Sequence, residues 1–154
     1  KLLKLKKPIY AYETKAYWTD VGNLAEYRRS QIDSLEGRVR ISIPGREIRK
    51  GVWVEEGSKI SPKAVLKAPC VIGKGCNISA GARIGPCTVI GDRASIAAGA
   101  TLEHCTLWEN VTVGQGVHLT NCILGANGQV RENIAVYEAA VLNMGLGDAT
   151  EPVR

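Results

Sequence analysis

Nine large apolar side chains recur at every sixth position: Ile60, Leu66, Ile72, Ile78, Ile84, Ile90, Ile96, Leu102 and Trp108. Two residues before each of the first eight stands a small one: Ser58, Ala64, Cys70, Cys76, Ala82, Thr88, Ala94 and Ala100. A period of six is not helical, but it is even. In an extended chain, residues two apart point to the same side, so the small and large members of each pair face one interior together. Glycine follows the aliphatic at Gly73, Gly85, Gly91, Gly114 and Gly125, or precedes it by three at Gly57, Gly75, Gly81, Gly99 and Gly116. Glycine accepts the positive φ that a bend requires. The spacing therefore predicts a short strand and a corner every six residues. Three sides close a coil of about 18 residues, and the coils stack as a parallel β-helix.

After Leu102 the register moves by one. The series resumes at Leu107, Val113, Leu119 and Leu124, with Val111, Val117 and Cys122 in the small position. Of Leu107 and Trp108, Leu107 is the one expected inside. The stretch from Val54 to Leu124 makes about four coils, and each buries its apolar face only against the next. Residues Val130 to Met144 are expected to cover the far end or to add an irregular coil.

Composition agrees with a narrow core of branched aliphatics: 45% of residues are hydrophobic, Phe is absent and there is one Met. No apolar run reaches the roughly 20 residues of a membrane span, and no secretory signal is visible. Among five cysteines, Cys70, Cys76 and Cys122 occupy the small inward position, while Cys87 and Cys105 fall near corners. With no CxxC spacing and two His, a zinc site is not expected, and reduced thiols in a cytoplasmic protein are. The net charge of +5 owes much to Lys1, Lys4, Lys6 and Lys7. No basic stripe interleaved with aromatics accompanies it, so neither nucleic acid nor membrane is an expected partner. Lys74, Arg83 and Arg93 lie at non-core positions, which makes them a solvated face or, alternatively, an anion-binding corner.

Residues 1–50 obey other rules. Lys1 to Leu5 reads as the end of a helix. Ile9 to Tyr12 reads as a short strand, and Ala16 to Gly22 as strand and turn. Asn23, with Glu26 three residues on, marks a helix start. Leu24, Tyr27, Ile32 and Leu35 form its apolar stripe, Gly37 ends it, and the helix is expected to cap one end of the solenoid. Val39 to Ile43 reads as a strand entering a Pro44-Gly45 turn. The expected domains are a remnant with a linking helix at 1–50, a β-helix at 51–144 and a flexible tail at 145–154.

Two resemblances join here. The six-residue series resembles the hexapeptide-repeat left-handed β-helix. Pro8 to Tyr12, the stretch Tyr17-Trp18-Thr19-Asp20-Val21-Gly22-Asn23, and Tyr27 resemble the end of the catalytic domain of sugar-phosphate nucleotidyltransferases. In that family the W-x-D-V-G stretch is followed by one helix and then by such a solenoid. The resemblance implies an all-β, left-handed parallel β-helix preceded by a short α+β remnant. It implies a parent enzyme that makes an NDP-sugar from an NTP and a sugar 1-phosphate, releasing pyrophosphate. Leu107 to Gly114 is nearest to mannose-1-phosphate guanylyltransferase-like proteins, with glucose-1-phosphate adenylyltransferases second. By the same resemblance Asp20 is a Mg²⁺ ligand in the intact parent, an oxygen donor suited to a hard cation. Nothing in residues 1–50 matches the family's nucleotide-cradling glycine loop, second metal carboxylate or sugar-phosphate lysines. The chain is therefore expected to lack an N-terminal catalytic domain, to be inactive alone with no catalytic residue or cofactor of its own, and to serve homo-oligomerisation or regulation.

Other classes compete. A hexapeptide-repeat acyltransferase would use His104 or His118 as general base, but the long inserted loop typical of those enzymes is missing. A γ-class carbonic anhydrase needs three His and is excluded. A non-enzymatic scaffold pairing subunits through a flat face is the third reading.

Overall fold

The computed structural model describes residues 3–5, 8 and 10–141. After helix α1 (Leu24–Leu35) come strands β1 (Arg46–Arg49) and β2 (Val52–Val54). The chain then lays down three strands per turn: β3 (Lys59–Ile60), β4 (Val65–Leu66) and β5 (Cys70–Ile72); β6 (Asn77–Ile78), β7 (Arg83–Ile84) and β8 (Thr88–Ile90). It continues with β9 (Ser95–Ile96), β10 (Thr101–Glu103) and β11 (Thr106–Leu107), then β12 (Thr112–Val113), β13 (His118–Thr120) and β14 (Ile123–Leu124). A fifth turn, β15 (Gln129–Val130), β16 (Ala135–Tyr137) and β17 (Ala140–Val141), occupies the region left open between a cover and a further coil. From β2 on, each strand pairs in parallel with the strand three places on, giving three flat faces: β2-β5-β8-β11-β14-β17, β3-β6-β9-β12-β15 and β4-β7-β10-β13-β16. The architecture is a triangular parallel β-helix.

The sixfold residues fill its axis. Ile72, Ile78, Ile84, Ile90, Ile96 and Leu102 are at most 1% exposed. Each contributes about 1.5–3 kcal/mol by burial. Ile60 and Leu66 are only partly covered, because the first coil has no neighbour above them on their faces.

The change of register proves to be a lasting change of coil length. Ile72 pairs with Ile90, 18 residues on, whereas Ile90 pairs with Leu107 and Leu107 with Leu124, each 17 on. One corner has lost a residue. Leu66 and Ile72 are six apart, but Leu102 and Leu107, and Leu119 and Leu124, are five apart. At the shortened corner His104, Asn121 and Glu138 take φ of 54°, 56° and 52°. Their N–H groups donate to Pro86, Glu103 and Thr120 carbonyls of the preceding coil at 2.9, 3.0 and 3.0 Å. Leu107 is accordingly buried and Trp108 is 44% exposed. The same shift corrects the placement of Cys105: it sits in the small inward position below Thr88, fully buried, and not at a corner.

The two kinds of glycine serve different ends. Gly75 and Gly81, three before an aliphatic, turn the corner with φ of 63° and 75°. Gly91 follows an aliphatic without positive φ; a Cβ there would lie 2.7 Å from the Trp108 carbonyl carbon, so the next coil leaves no room.

Helix α1 covers a face and does not cap an end. Its bounds are those predicted: the Asn23 side chain accepts from Glu26 N at 2.9 Å, and Gly37 with φ of 77° closes it. Arg38 N donates to Asp33 O and Gly37 N to Ser34 O, the paired bonds of a Schellman ending. Outward positions explain the docking. The second face shows Asn77, Ser95, Thr112 and Gln129, and the third Arg83, Thr101, His118 and Ala135; the first shows Val71, Val89, Thr106 and Ile123. Only the first is apolar enough to reward a helix. Val71 and Ile123, though outward, are 6% and 3% exposed, and Thr106 Oγ1 donates to Gln31 Oε1 at 2.6 Å. Arg28 acts on Cys122 of the fourth coil and Glu36 on Cys87 of the second, so α1 runs against the direction of stacking. Its 1.5 Å rise per residue matches coils about 4.8 Å apart at roughly three residues per coil. The helix therefore begins beside the last coils and ends beside the first. Gln31→Ala strands the buried Thr106 hydroxyl and should lower stability by about 1–3 kcal/mol in thermal or urea unfolding. An unchanged midpoint would mean that α1 is not docked.

The remaining N-terminal elements differ from expectation. Tyr10 to Tyr12 and Ala16 to Gly22 form no strand, and Ile9 lies outside the described residues. Leu3–Leu5 is a 3₁₀ turn where a helix end was expected, its neighbours being outside the described residues. The strand expected at Val39 to Ile43 lies instead at Arg46–Arg49, antiparallel to β2. That segment reaches the free edge of β2, whereas Val39, Ile41 and Ile43 line a groove with Leu35 and Trp53. Residues 142–144, the end of the expected β-helix, and the tail at 145–154 lie outside the described residues.

Candidate functional site

The stretch from Tyr17 to Asn23 lies along α1 and is held at both ends. At one end Asn23 caps the helix; at the other the Tyr17 hydroxyl donates to Asp33 Oδ2 at 2.8 Å. Between them Gly22 N donates to Asp20 O at 2.9 Å, closing a turn. The resulting open cleft, about 330 Å³, is walled by Trp18, Asp20, Glu26, Arg29 and Asp33. Asp33 is 5% exposed and also pairs with Arg38 Nη1 at 2.8 Å. Its carboxylate holds the Tyr17 phenol above the ordinary tyrosine range; Glu26 adds to this and Arg29 opposes it.

Asp20 is exposed on this cleft. Magnesium requires six near-octahedral oxygens. Among the described residues no group of three His, Cys, Asp or Glu could hold a metal. Asp33 is committed to Tyr17 and Arg38, so the residues present do not by themselves fit the ion.

The other sequence candidates do not converge. His118 pairs with Thr101 across the third face, so His104 sits three residues further along the neighbouring strand, at a corner. Neither His lines the cleft above or the groove at Val39 to Ile43. Lys74 faces Glu56 at 3.8 Å and Arg93 Nε donates to Asn110 Oδ1 at 2.8 Å at one corner, while Arg83 points from the third face. All five cysteines are free and buried. Burial pushes Cys70 up to about 11 and raises Cys76 and Cys87, while the Cys122 thiol and burial raise Cys105. These are thiols packed as small apolar groups. No described helix is long and apolar enough to cross a membrane.

Asp33 and the Gln31–Thr106 bond were not identified from sequence. For Asp33 a signal existed: a carboxylate in the last turn of a helix opposes the helix dipole and calls for compensating partners. For Gln31 there was none, since an amide on a helix is unremarkable until its neighbour is known.

Residues 49–148 match the family model for the EIF2B subunit epsilon LbH domain, a left-handed β-helix. The chain belongs to this family. No curated protein matches the sequence. Solved structures with likeness include two variants of the perosamine N-acetyltransferase of Caulobacter crescentus in complex with CoA and GDP-perosamine. One is 22% identical over 57% of this chain and 52% of that chain, with a TM-score of 0.36. The other is 22% identical over 58% and 50%, with a TM-score of 0.31. This LbH chain thus spans about half the length of each.

Proposed function

We propose that this LbH chain is the C-terminal solenoid of a nucleotidyltransferase that makes an NDP-sugar from an NTP and a sugar 1-phosphate. GTP and mannose 1-phosphate are the first substrates to try, and the solenoid's task is assembly or regulation in the cytoplasm. The supporting observation is continuity: the W-x-D-V-G-N stretch ends in the N-cap of a helix that lies on the solenoid. The family match supports the left-handed solenoid in this reading, and the description of the family's namesake as a subunit favours assembly. Tyr10, Tyr12 and Trp18 are 88%, 91% and 77% exposed, an apolar surface of the kind a preceding domain covers. Transfer of a nucleotidyl group by attack of the sugar phosphate on the α-phosphorus needs cationic groups against developing charge. In this reading Asp20 supplies one magnesium oxygen and the preceding domain the others.

Pyrophosphate release from GTP and mannose 1-phosphate, and from ATP and glucose 1-phosphate, tests the proposal. A chain extended by its upstream coding sequence should turn over, and Asp20→Ala in it should lose about a hundredfold or more. The 154-residue chain should show none. Activity of the short chain, or full activity of the extended Asp20→Ala variant, would refute it.

A further inference from the structure

Asp33 is placed where a helix least favours a carboxylate, and it is buried there. The bond that docks α1 on the solenoid does not use this charge: it runs from Thr106 Oγ1 to Gln31 Oε1. What the charge does is join two segments. Oδ2 accepts from Tyr17 and Oδ1 from Arg38, both at 2.8 Å, while the Asp33 carbonyl accepts from Arg38 N at 2.8 Å. The fixed points Asn23 and Asp33 lie ten residues apart on one helix, which is about 15 Å. The strap between them is anchored at both ends by side-chain hydrogen bonds and closed by a turn in between, and Asp20 sits at its middle.

We propose that Asp33 is a positioning residue that pins the Tyr17 end of Tyr17–Asn23 to α1 and thereby fixes Asp20 relative to the solenoid. The strap stands on geometry alone; that Asp20 has a use in turnover rests on the nucleotidyltransferase reading above. Tyr17 must keep its proton to donate, so the strap holds through neutral and mildly alkaline pH. It is lost as pH rises through the raised tyrosine value, with Asp33, Glu26 and Arg29 the facing charges.

Hydrogen exchange and tyrosine absorbance titration of the 154-residue chain provide the test. Asp33→Ala and, independently, Tyr17→Phe should each speed exchange of the Gly22 amide, which donates to Asp20 O within the strap, by about tenfold, leaving the strand amides unchanged. The Tyr17 phase, read as the absorbance difference between the parent and Tyr17→Phe, should lie above the ordinary tyrosine value, and Asp33→Ala should bring it down. Unchanged exchange at Gly22 in Tyr17→Phe, a variant that leaves α1 intact, would overturn the proposal; so would a Tyr17 phenol that titrates at the ordinary tyrosine value. In the extended chain, Tyr17→Phe should lower kcat more than it raises KM. Loosened exchange with unaltered turnover would refute the nucleotidyltransferase role of Asp20 while the strap itself stood.

Discussion

Ile84→Asp should abolish cooperative melting of the solenoid. Ile84 is fully buried and packed in one column, with Leu66 in the coil before and Leu102 in the coil after. Removing its aliphatic atoms forfeits about 2–5 kcal/mol. A carboxylate in that column, with no polar partner within the axis, costs several kcal/mol more. The sum approaches the whole stability of a domain, about 5–15 kcal/mol. Because coils are stabilised mainly by their neighbours, the damage spreads in both directions. Val65→Asp is the control: Val65 points outward on the same face and is 42% exposed, so its change should stay within about 0.5 kcal/mol. Circular dichroism melts decide, and an Ile84→Asp protein that melts like the parent contradicts the buried column.

A single methyl should do comparable harm at Gly85. This residue has φ of 91°, and its N–H donates to Leu102 O at 2.8 Å. A Cβ there would drive into the Lys67 carbonyl oxygen of the preceding coil. That carbonyl cannot retreat cheaply, since Lys67 N is itself bonded to Ile84 O at 2.7 Å. Left-handed geometry costs an alanine about 1–2 kcal/mol, and overpacking adds about 1–3 kcal/mol. Gly85→Ala should therefore lose about 3 kcal/mol or more. Gly99, with φ of 70° and nothing within 4 Å of a Cβ, supplies the contrast: Gly99→Ala should lose only the conformational part. Equal losses in urea unfolding would show that coil contact is not what excludes a side chain at Gly85.

The axis of the solenoid was legible because its signal is one-dimensional. Ile72 and Ile84 need only a period to be placed inside, and the Asn23 cap needs only Glu26 three residues later. Lateral relations were not legible. That α1 lies on a face depends on Val71, Val89, Thr106 and Ile123 coming into line through strands 17 or 18 residues apart, which a six-residue period does not display. Strand partners were equally hidden: Val39 to Ile43 has strand composition, yet β1 took the edge because the turn at Lys50 and Gly51 delivers Arg46–Arg49 to β2. Cys105 was misplaced because the corner lost its residue just before it, and either register reads plausibly until the partner coil is seen. In the cleft, Asp20 came from resemblance, whereas Asp33 needed a contact across 16 residues.

Oxidative cross-linking of paired cysteines tests the stacking most directly. Thr101 and His118 face each other across adjacent coils. Their Cα atoms lie about 4.8 Å apart, within disulfide range. Thr101→Cys with His118→Cys should bridge on mild oxidation, as peptide mapping would show, and Thr101→Cys with Leu119→Cys should not. Bridging only in the second pair would mean that coils keep 18 residues throughout, and bridging in neither would remove the stacked triangle itself.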